Sequence, residues 1–342
     1  MGICLQSASD ADHNVIKSNS VNYNKNGINS TCSYSNFSYN NLNYNNGTGL
    51  TITGSWCLIS GNSMNNNKVA GLTITGAYNN VTGNMIYNNL YGASFSSYMA
   101  AVFNFNSVVG NTYQLYQPSN TGTLLNAQFN WWGSNLKPQK IYGAITYSRW
   151  LVLKLSSVKS QIVGTSSSVV ADLNHDSLGY DVSQMGHLKN GFTICFYSTL
   201  GTISSKTIMN GTATTWFKAC DPGTAKITTV LDSQKTLNYV SVLSAIRSVN
   251  LSNNAVNVSN KKTIQLTYNT PIKFGKTVFI ELKSSSGRSV YIKPSIKSNV
   301  LTISHATLSR GTKYILVIHT GTITDMKNKS MPLYRLNFTT AK

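Results

Sequence analysis

Acidic residues are scarce in this 342-residue sequence, which holds nine Asp and Glu against 28 Lys and Arg. No Asp or Glu occurs anywhere between His13 and Ala171. Hydrolysis of a polysaccharide needs a pair of carboxyl groups, and calcium-dependent elimination needs acidic side chains that hold the cation. The first half of the chain therefore has no place for either site. The sequence predicts no enzyme, no catalytic residue and no cofactor.

Long apolar runs and ordered cysteine patterns are also missing. No apolar run reaches the length of about 18 residues that a transmembrane helix needs. The opening MGICLQSASDAD lacks the basic and apolar regions of a signal peptide. The five cysteines show no CxxC and no metal-ligand spacing. A disulfide between Cys195 and Cys220 and a pair of buried thiols both remain open.

The first half of the chain carries a repeat instead. The hexapeptide GLTITG occurs at 49–54 and again at 71–76. Five asparagines, spaced by 21 or 22 residues, anchor the wider register: Asn19, Asn40, Asn62, Asn84 and Asn106. Apolar residues recur at three fixed offsets from these anchors. The three columns are Val21, Leu42, Met64, Ile86 and Val108; Ile16, Phe37, Ile59, Val81 and Phe103; and Ile28, Leu50, Leu72, Ala93 and Leu115.

This pattern predicts an all-β fold that begins with a right-handed parallel β-helix of about 22 residues per coil. The segments are short, alternate apolar with polar residues and are rich in β-branched side chains, as strands are. We expect Leu50 over Leu72 and Ile52 over Ile74 inside the helix. Asn and Gly are expected at the bends because both tolerate left-handed backbone conformations. The coils start almost at the first residue, which predicts an N-terminally truncated helix.

The repeat ends in NAQFNWWGSNLKP and YSRWLVLKL. Trp131, Trp132 and Trp150 stand where the apolar columns stop, so we expect them to cap the last coil; a sugar-binding platform is the alternative. Beyond Ser156 the repeat gives way to short apolar segments separated by Gly, Asp and Asn turns, which is typical of β-sandwiches. The predicted domains are a β-helix over 1–155 and two Ig-like sandwiches over 156–242 and 243–342.

The Asn-rich columns, NWWGSN and RWLVLKL resemble the β-helix of adhesin-like surface proteins of methanogenic archaea. The pieces LGTI, NGTA and GTAKITTVLDSQ resemble the bacterial Ig-like domain that follows the helix in those proteins. From about Leu243, NNAVNVSN and the GTKY and NFTT segments resemble the SbsA-like Ig domain of S-layer proteins, although Lys327 replaces a usual Gly and Tyr268 a usual Phe. The resemblance implies a cell-surface or extracellular protein that contacts cells, glycans or the envelope.

Candidate binding and metal residues follow from this interpretation. The residues proposed to stack on sugars are the tyrosines of the β-helix, Tyr23, Tyr34, Tyr39, Tyr44, Tyr78 and Tyr87. Asp172, Asn174 and Asp176 have the spacing of a calcium loop, but turn chemistry explains them better. No metal site is therefore predicted.

Net charge and sequons give two further indications. Residues 241–342 carry fifteen Lys and Arg against two acids, which suits an acidic envelope polymer, while a solvated lysine-rich surface is the alternative. No groove-reading helix or basic-aromatic sheet face supports nucleic-acid binding. Nine Asn-x-Ser/Thr sequons are candidate glycan sites: Asn29, Asn36, Asn46, Asn80, Asn210, Asn250, Asn257, Asn328 and Asn337.

The sequence thus predicts a non-catalytic, adhesin-like surface protein, with glycans, envelope polymers or other surface proteins as partners. The competing interpretation is a β-helix carbohydrate-active enzyme, a lyase or hydrolase fragment whose acids lie in upstream coils.

Overall fold

The computed structural model describes residues 2–7, 13–96, 100–118 and 125–342. Within those ranges every regular element is a strand, and none is a helix. The same residues contain no helix of the length and apolarity that crossing a membrane requires. The predicted fold class, a parallel β-helix followed by Ig-like sandwiches, is confirmed.

The β-helix contains two long parallel sheets and a short third one. The first sheet has the order β1-β3-β5-β7-β10-β13-β15, the second β2-β4-β6-β8-β11-β14-β16, and the third pairs β9 with β12. The strands are β1 Ile3–Leu5, β2 Val15–Lys17, β3 Ile28–Ser30, β4 Asn36–Ser38, β5 Leu50–Ile52, β6 Leu58–Ser60, β7 Ala70–Ile74, β8 Asn80–Thr82, β9 Met85–Tyr87, β10 Tyr91–Phe95, β11 Val102–Asn104, β12 Ser107–Val109, β13 Tyr113–Tyr116, β14 Leu125–Asn126, β15 Ile141–Tyr142 and β16 Ile145–Thr146.

Identical positions of successive coils lie beside one another. Leu50 pairs with Leu72 and Ile52 with Ile74 across β5 and β7, and all four side chains are fully buried. They belong to one apolar core that runs along the helix. Burying each such side chain contributes about 1.5–3 kcal/mol. The repeated hexapeptide is therefore part of the packed core.

Buried asparagines link the coils at one corner. Asn62 is fully buried, and its Oδ1 accepts hydrogen bonds from the backbone N–H (2.9 Å) and side-chain amide (3.0 Å) of Asn40. Its Nδ2 donates to the Phe37 carbonyl at 2.8 Å, while its backbone N–H donates to Asn84 Oδ1 at 2.8 Å. The same set of bonds repeats through Asn84 and Asn106 to Asn130. The side-chain oxygen of each asparagine thus pairs a backbone N–H at the bend of the neighbouring coil that has no strand partner.

Replacement of Asn62 by Ala is expected to destabilise the β-helix strongly. The substitution leaves the buried Asn40 backbone N–H without its acceptor, at a cost of about 1–3 kcal/mol, and also removes the bond from Asn62 Nδ2 to the Phe37 carbonyl. Urea unfolding followed by circular dichroism measures the loss. Asn46→Ala is the matched control, since Asn46 is exposed and its side chain makes no hydrogen bond within the described part of the chain. Equal stability of the two variants would contradict the ladder's role.

Two antiparallel sandwiches follow. The first consists of sheets β17-β19-β23-β21 and β18-β25-β24-β20-β22, and the second of β26-β28-β32-β31 and β27-β35-β33-β30 with the pair β29-β34. The strands are β17 Leu151–Ser157, β18 Ser160–Ile162, β19 Ser166–Asp176, β20 Thr193–Ser198, β21 Gly201–Thr202, β22 Lys206–Thr207, β23 Thr212–Ala219, β24 Gly223–Leu231, β25 Gln234–Leu243, β26 Ile246–Val249, β27 Ala255–Val258, β28 Ile264–Tyr268, β29 Ile272–Phe274, β30 Ile280–Ser284, β31 Ile292–Lys297, β32 Val300–His305, β33 Lys313–Ile318, β34 Ile323–Asp325 and β35 Tyr334–Thr340.

The first sandwich begins with the strand that follows the last coil. Strand β17, Leu151–Ser157, pairs antiparallel with β19. Leu151 and Leu153 are buried in the core of the sandwich. The stretch LVLKL, which the sequence analysis assigned to the end of the β-helix, thus contributes a sandwich strand. Cys195 and Cys220 are not joined in a disulfide.

The first sandwich packs on the side of the β-helix through apolar residues. Phe105, Phe129 and Trp131, all from the β-helix, are buried in the same core as the sandwich strands. Tyr87 of the β-helix stacks on Phe192 of the sandwich, with ring centroids 6.3 Å apart. Burial in this contact raises the pKa of the Tyr87 phenol. The two domains thus share an apolar interface.

Arg149 is the principal polar link in this interface. Its Nε and Nη2 both lie 2.5 Å from Oδ2 of Asp176, whose carboxylate is fully buried and also accepts N–H bonds from Leu178 and Tyr180. The guanidinium lies over the Phe129 ring, 4.8 Å from its centroid. Arg149 therefore joins the end of the β-helix to the sandwich by charge and by stacking.

Arg149→Met is expected to lower the free energy of unfolding by about 3 kcal/mol, because it leaves the buried Asp176 carboxylate without its cation. Arg335→Met, at an exposed arginine of β35 that forms no ion pair within the described residues, serves as the control. Chemical denaturation of both variants measures the difference. An Arg149 variant as stable as the control would show that the pair does not hold the junction.

Candidate functional site

Three columns of left-handed residues run along the corners of the β-helix. We name them corner columns A, B and C. Column A contains His13, Tyr34, Trp56 and Tyr78; column B contains Ser18, Tyr39, Gly61, Gly83, Phe105 and Phe129; column C contains Tyr23, Tyr44, Asn66, Asn88, Gly110 and Gly133. All have φ between 46° and 86°. Many of the bends expected to hold Asn or Gly are therefore occupied by aromatic residues.

Column A is a continuous exposed aromatic stack. The ring centroids of His13 and Tyr34 lie 5.4 Å apart, those of Tyr34 and Trp56 6.4 Å, and those of Trp56 and Tyr78 4.3 Å. Interplanar angles of 13° or less show that the rings are parallel. Left-handed backbone costs a non-glycine residue roughly 1–2 kcal/mol, and aromatic pairs recover about 0.5–1.5 kcal/mol each. Stacking of the three ring pairs thus offsets part of the strain at the four bends.

The stack determines which part of each ring meets solvent. Tyr34, Trp56 and Tyr78 are each a little over half exposed. Their faces are turned toward one another along the helix, so solvent meets the edges of the rings. A sugar ring that stacks on an aromatic face needs that face free. Column A therefore presents a row of ring edges whose centroids are 4.3 to 6.4 Å apart, and its inner rings have no free face on which a sugar could stack.

The other exposed tyrosines have different surroundings. Tyr23 and Tyr44 form a stacked pair in column C, with centroids 5.2 Å apart. The ring of Tyr39 lies over Gly61, where an added Cβ would come within 2.8 Å of it, and Lys17 Nζ approaches that ring to 5.7 Å from the centroid. Five of the six tyrosines proposed as ligand contacts are therefore exposed at corners.

Tyr87 does not belong to this exposed set, which corrects its assignment from sequence. Its ring packs against the first sandwich, and its hydroxyl hydrogen-bonds to Ser107 at 2.5 Å. The docking of a second domain partly buries this position, and the sequence of the repeat alone carries no sign of that contact.

The three tryptophans near the end of the repeat separate into two groups. Trp132 is buried in the core of the β-helix, and Trp150 packs against that core while donating its indole N–H to the Asn135 carbonyl at 3.1 Å. Trp131 points to the other side, into the sandwich core, and its Nε1 donates to Asp232 at 2.6 Å. None of the three forms an exposed sugar platform.

Trp56 and His13 are the residues of column A that sequence reasoning missed. Trp56 stands 22 residues after Tyr34 and 22 before Tyr78, and His13 stands 21 before Tyr34. That spacing was available in the sequence. The prediction named only tyrosines and therefore left out both residues.

The side chains of Asp172, Asn174 and Asp176 do not form a calcium site. Asp172 lies 3.0 Å from His175 Nδ1 and accepts the Asn174 N–H at 2.7 Å, while Asp176 is bound to Arg149. Asp172 and Asp176 are thus occupied by separate partners. Across the ranges that the structure describes, no group of three or more His, Cys, Asp or Glu side chains could hold a metal ion.

Two parts of the chain match known protein families. Residues 1–147 match the profile described as Periplasmic copper-binding protein (NosD). Residues 242–340 match the profile described as Bacterial Ig-like domain. These matches agree with a β-helix at the start of the chain and an Ig-like sandwich at its end. No curated protein matches the chain.

Similarity to solved structures is distant. The adhesin InvE of Yersinia pseudotuberculosis shares 17% identity over 54% of this chain, with a TM-score of 0.22, and the chain spans 60% of its length. Domains 5–6 of the S-layer protein SbsC share 13% identity over 56% of this chain and 100% of their own, with a TM-score of 0.22. The titin tandem I9–I11 shares 9% sequence identity over 59% of this chain and 70% of its own, with a TM-score of 0.28. With TM-scores this low, these likenesses carry no argument about fold or function.

The residues present do not fit a copper ion. In the matched region the soft donors are dispersed: Cys4 lies exposed on β1, Cys32 and Cys57 are buried, and Met64 is fully buried in the core. The Cys57 thiol donates to the Cys32 carbonyl at 3.3 Å. Copper prefers convergent thiolate, thioether or imidazole groups, and the described residues of this helix present no such cluster.

Substitution of Trp56 tests the backbone conformation at the corners. Both Trp56→Ala and Trp56→Gly lose the stack, but only glycine tolerates the left-handed backbone without strain. The glycine variant is therefore expected to be more stable than the alanine variant by roughly 1 kcal/mol. Urea denaturation of the two proteins measures the difference. An alanine variant of equal or greater stability would contradict a left-handed bend at this position.

Proposed function

We propose that this chain is a non-catalytic, adhesin-like protein of the cell surface or the extracellular space, in which a β-helix contacts glycans and Ig-like sandwiches act as spacers. The observation that carries the proposal is column A. It forms an exposed row of aromatic edges on a scaffold that has no acidic residue between His13 and Ala171. Such a surface offers hydrogen bonds and apolar contact, and it offers no carboxyl pair for chemistry on a polysaccharide.

The geometry of column A favours an extended ligand. Its edges repeat with the rise of the coils, so an elongated chain that runs along the helix meets equivalent groups at successive positions. Tyrosine and tryptophan suit such contacts because each combines an apolar body with one polar group at low cost in side-chain entropy. A glycan chain satisfies both requirements, since it alternates hydroxyl groups with apolar C–H faces.

The domain order supports a surface location. A bacterial Ig-like profile matches the last domain, and its relation to the SbsA-like type of S-layer proteins is part of the proposal. The matched β-helix profile is described as that of a periplasmic protein, which supports a location outside the cytoplasm. The methanogen adhesin-like family, with its β-helix followed by Ig-like domains, supplies the model for this arrangement.

Removal of two hydroxyl groups tests the proposal. Tyr34→Phe/Tyr78→Phe keeps the stack and deletes two polar edges, so binding to envelope preparations and to a glycan array is expected to weaken by roughly threefold to tenfold for each hydroxyl. Tyr291→Phe, at the most exposed tyrosine of the second sandwich, which is 78% exposed, is the matched control and should bind like the unaltered protein.

Two outcomes would overturn the proposal. If the unaltered chain binds no cell, envelope or glycan, it is a spacer. If it releases reducing sugar or unsaturated uronate from any polysaccharide, it is an enzyme despite its lack of acids.

A further inference from the structure

The last sandwich contains a basic cleft that the proposed β-helix contact does not use. The cleft has a volume of about 610 Å³ and lies beside the β29-β34 pair. Its lining comprises Lys273, Phe274, Gly275, Lys276, Thr277, Thr320, Gly321, Thr324, Asn328 and Ser330. This volume is within the range of small-ligand sites, about 300–1,000 Å³. It could hold one or two sugar residues.

The polar side chains of the cleft make no hydrogen bond or ion pair with the part of the protein that the structure describes. Within the described residues, neither lysine of the cleft forms an ion pair. The hydroxyl of Thr324 also lacks a hydrogen-bond partner, although this residue is only 7% exposed. Buried hydroxyls in proteins are normally hydrogen-bonded. The oxygen of Thr324 has almost no accessible surface, however, so a ligand in the cleft does not reach it. The two lysine ammonium groups are the groups of the cleft that are open to a ligand.

The second large cleft of this domain differs in that respect. It has a volume of about 440 Å³ and is lined by Ser284, Arg288 and Tyr314, among others. Two of its side chains are already engaged: Ser284 Oγ bonds to Ser286 and accepts the Arg288 N–H, and the Tyr314 hydroxyl accepts the Ser309 N–H. It offers one cation, Arg288, whereas the basic cleft offers two.

The floor of the basic cleft is bare backbone. An added Cβ at Gly275 would come within 2.0 Å of the Gly321 carbonyl oxygen, so this position accepts only glycine without a shift of the chain. Gly321 has φ +83°. The two glycines therefore let two chain segments of the cleft wall approach each other closely.

The charge in the cleft has one sign. No Asp or Glu lines it. The neighbouring Asp325 is engaged with the backbone N–H groups of Lys327 and Lys329, each at 2.8 Å. Two lysines without an acid attract an oxyanion. The hydroxyls of Thr277, Thr320 and Ser330 suit the hydroxyls of a sugar, and Phe274 supplies an apolar wall.

We propose that this cleft binds an acidic saccharide, with a sugar carboxylate held between Lys273 and Lys276. The inference deepens the proposed envelope contact and rests on it, since it names the chemical class that the last domain recognises.

Calorimetry with the full chain at physiological ionic strength tests the assignment. Oligogalacturonate is the probe, and cellohexaose and inorganic phosphate are the comparison ligands. Saturable binding of oligogalacturonate alone is expected. Saturation by phosphate at the same concentrations would reduce the cleft to a simple anion site, and equal binding of cellohexaose would remove the role of charge; either result overturns the proposal.

Charge-matched variants locate the site. Lys273→Gln/Lys276→Gln is expected to weaken oligogalacturonate binding by about tenfold or more. Lys261→Gln/Lys262→Gln removes the same charge just before β28, where both lysines are exposed and outside the cleft. This variant should change binding by less than about twofold. Equal losses in the two variants would mean attraction by net charge, without a site.

The envelope assay distinguishes the two proposals. If the lysine cleft variant adheres to envelopes like the unaltered chain and also binds oligogalacturonate normally, the cleft proposal fails and the adhesin proposal stands. If the unaltered chain does not bind envelopes but binds oligogalacturonate through the cleft, the adhesin proposal fails and the cleft proposal stands.

Discussion

The hydrogen bonding between successive coils is the constraint on which the rest of this structure depends. Each strand of the β-helix pairs with the equivalent strand one coil away, and at the bends the buried asparagines supply the bonds that strands cannot. This register fixes every other position in the coil. It brings the apolar residues into columns inside, and it brings the left-handed residues into columns at the corners. An asparagine that bonds two coils at once also resists slippage between them, because a shift of one residue would leave buried amides unpaired.

The aromatic stack is a direct consequence of that register. A tyrosine or tryptophan at one left-handed bend meets the aromatic residue one coil away because the coils do not shift relative to one another. The same register gives column B two different surroundings. Where that column holds Phe105 and Phe129, the first sandwich covers it; where it holds Tyr39, the ring stays exposed. One structural position thus serves as an internal domain contact at one end of the helix and as open surface at the other.

Much of the fold follows from the sequence because its signal is periodic. The spacing of Asn62 and Asn84, and the pairing of Leu50 with Leu72, follow from counting residues. The candidate site followed less well, for two physical reasons. Backbone conformation at Tyr34 or Trp56 is not visible in composition, since aromatic residues seldom occupy left-handed bends, so the stacking of their faces was missed. The burial of Tyr87 depends on contact with Phe192, more than a hundred residues away, which no local pattern encodes.

Hydrogen–deuterium exchange of the intact chain, with and without an envelope glycan that it binds, tests most directly whether the acid-free β-helix acts as a binding surface. The account predicts added protection at the bends around Tyr34, Trp56 and Tyr78, in successive coils on one corner. Protection confined to the sandwiches, with these bends unchanged, would contradict it.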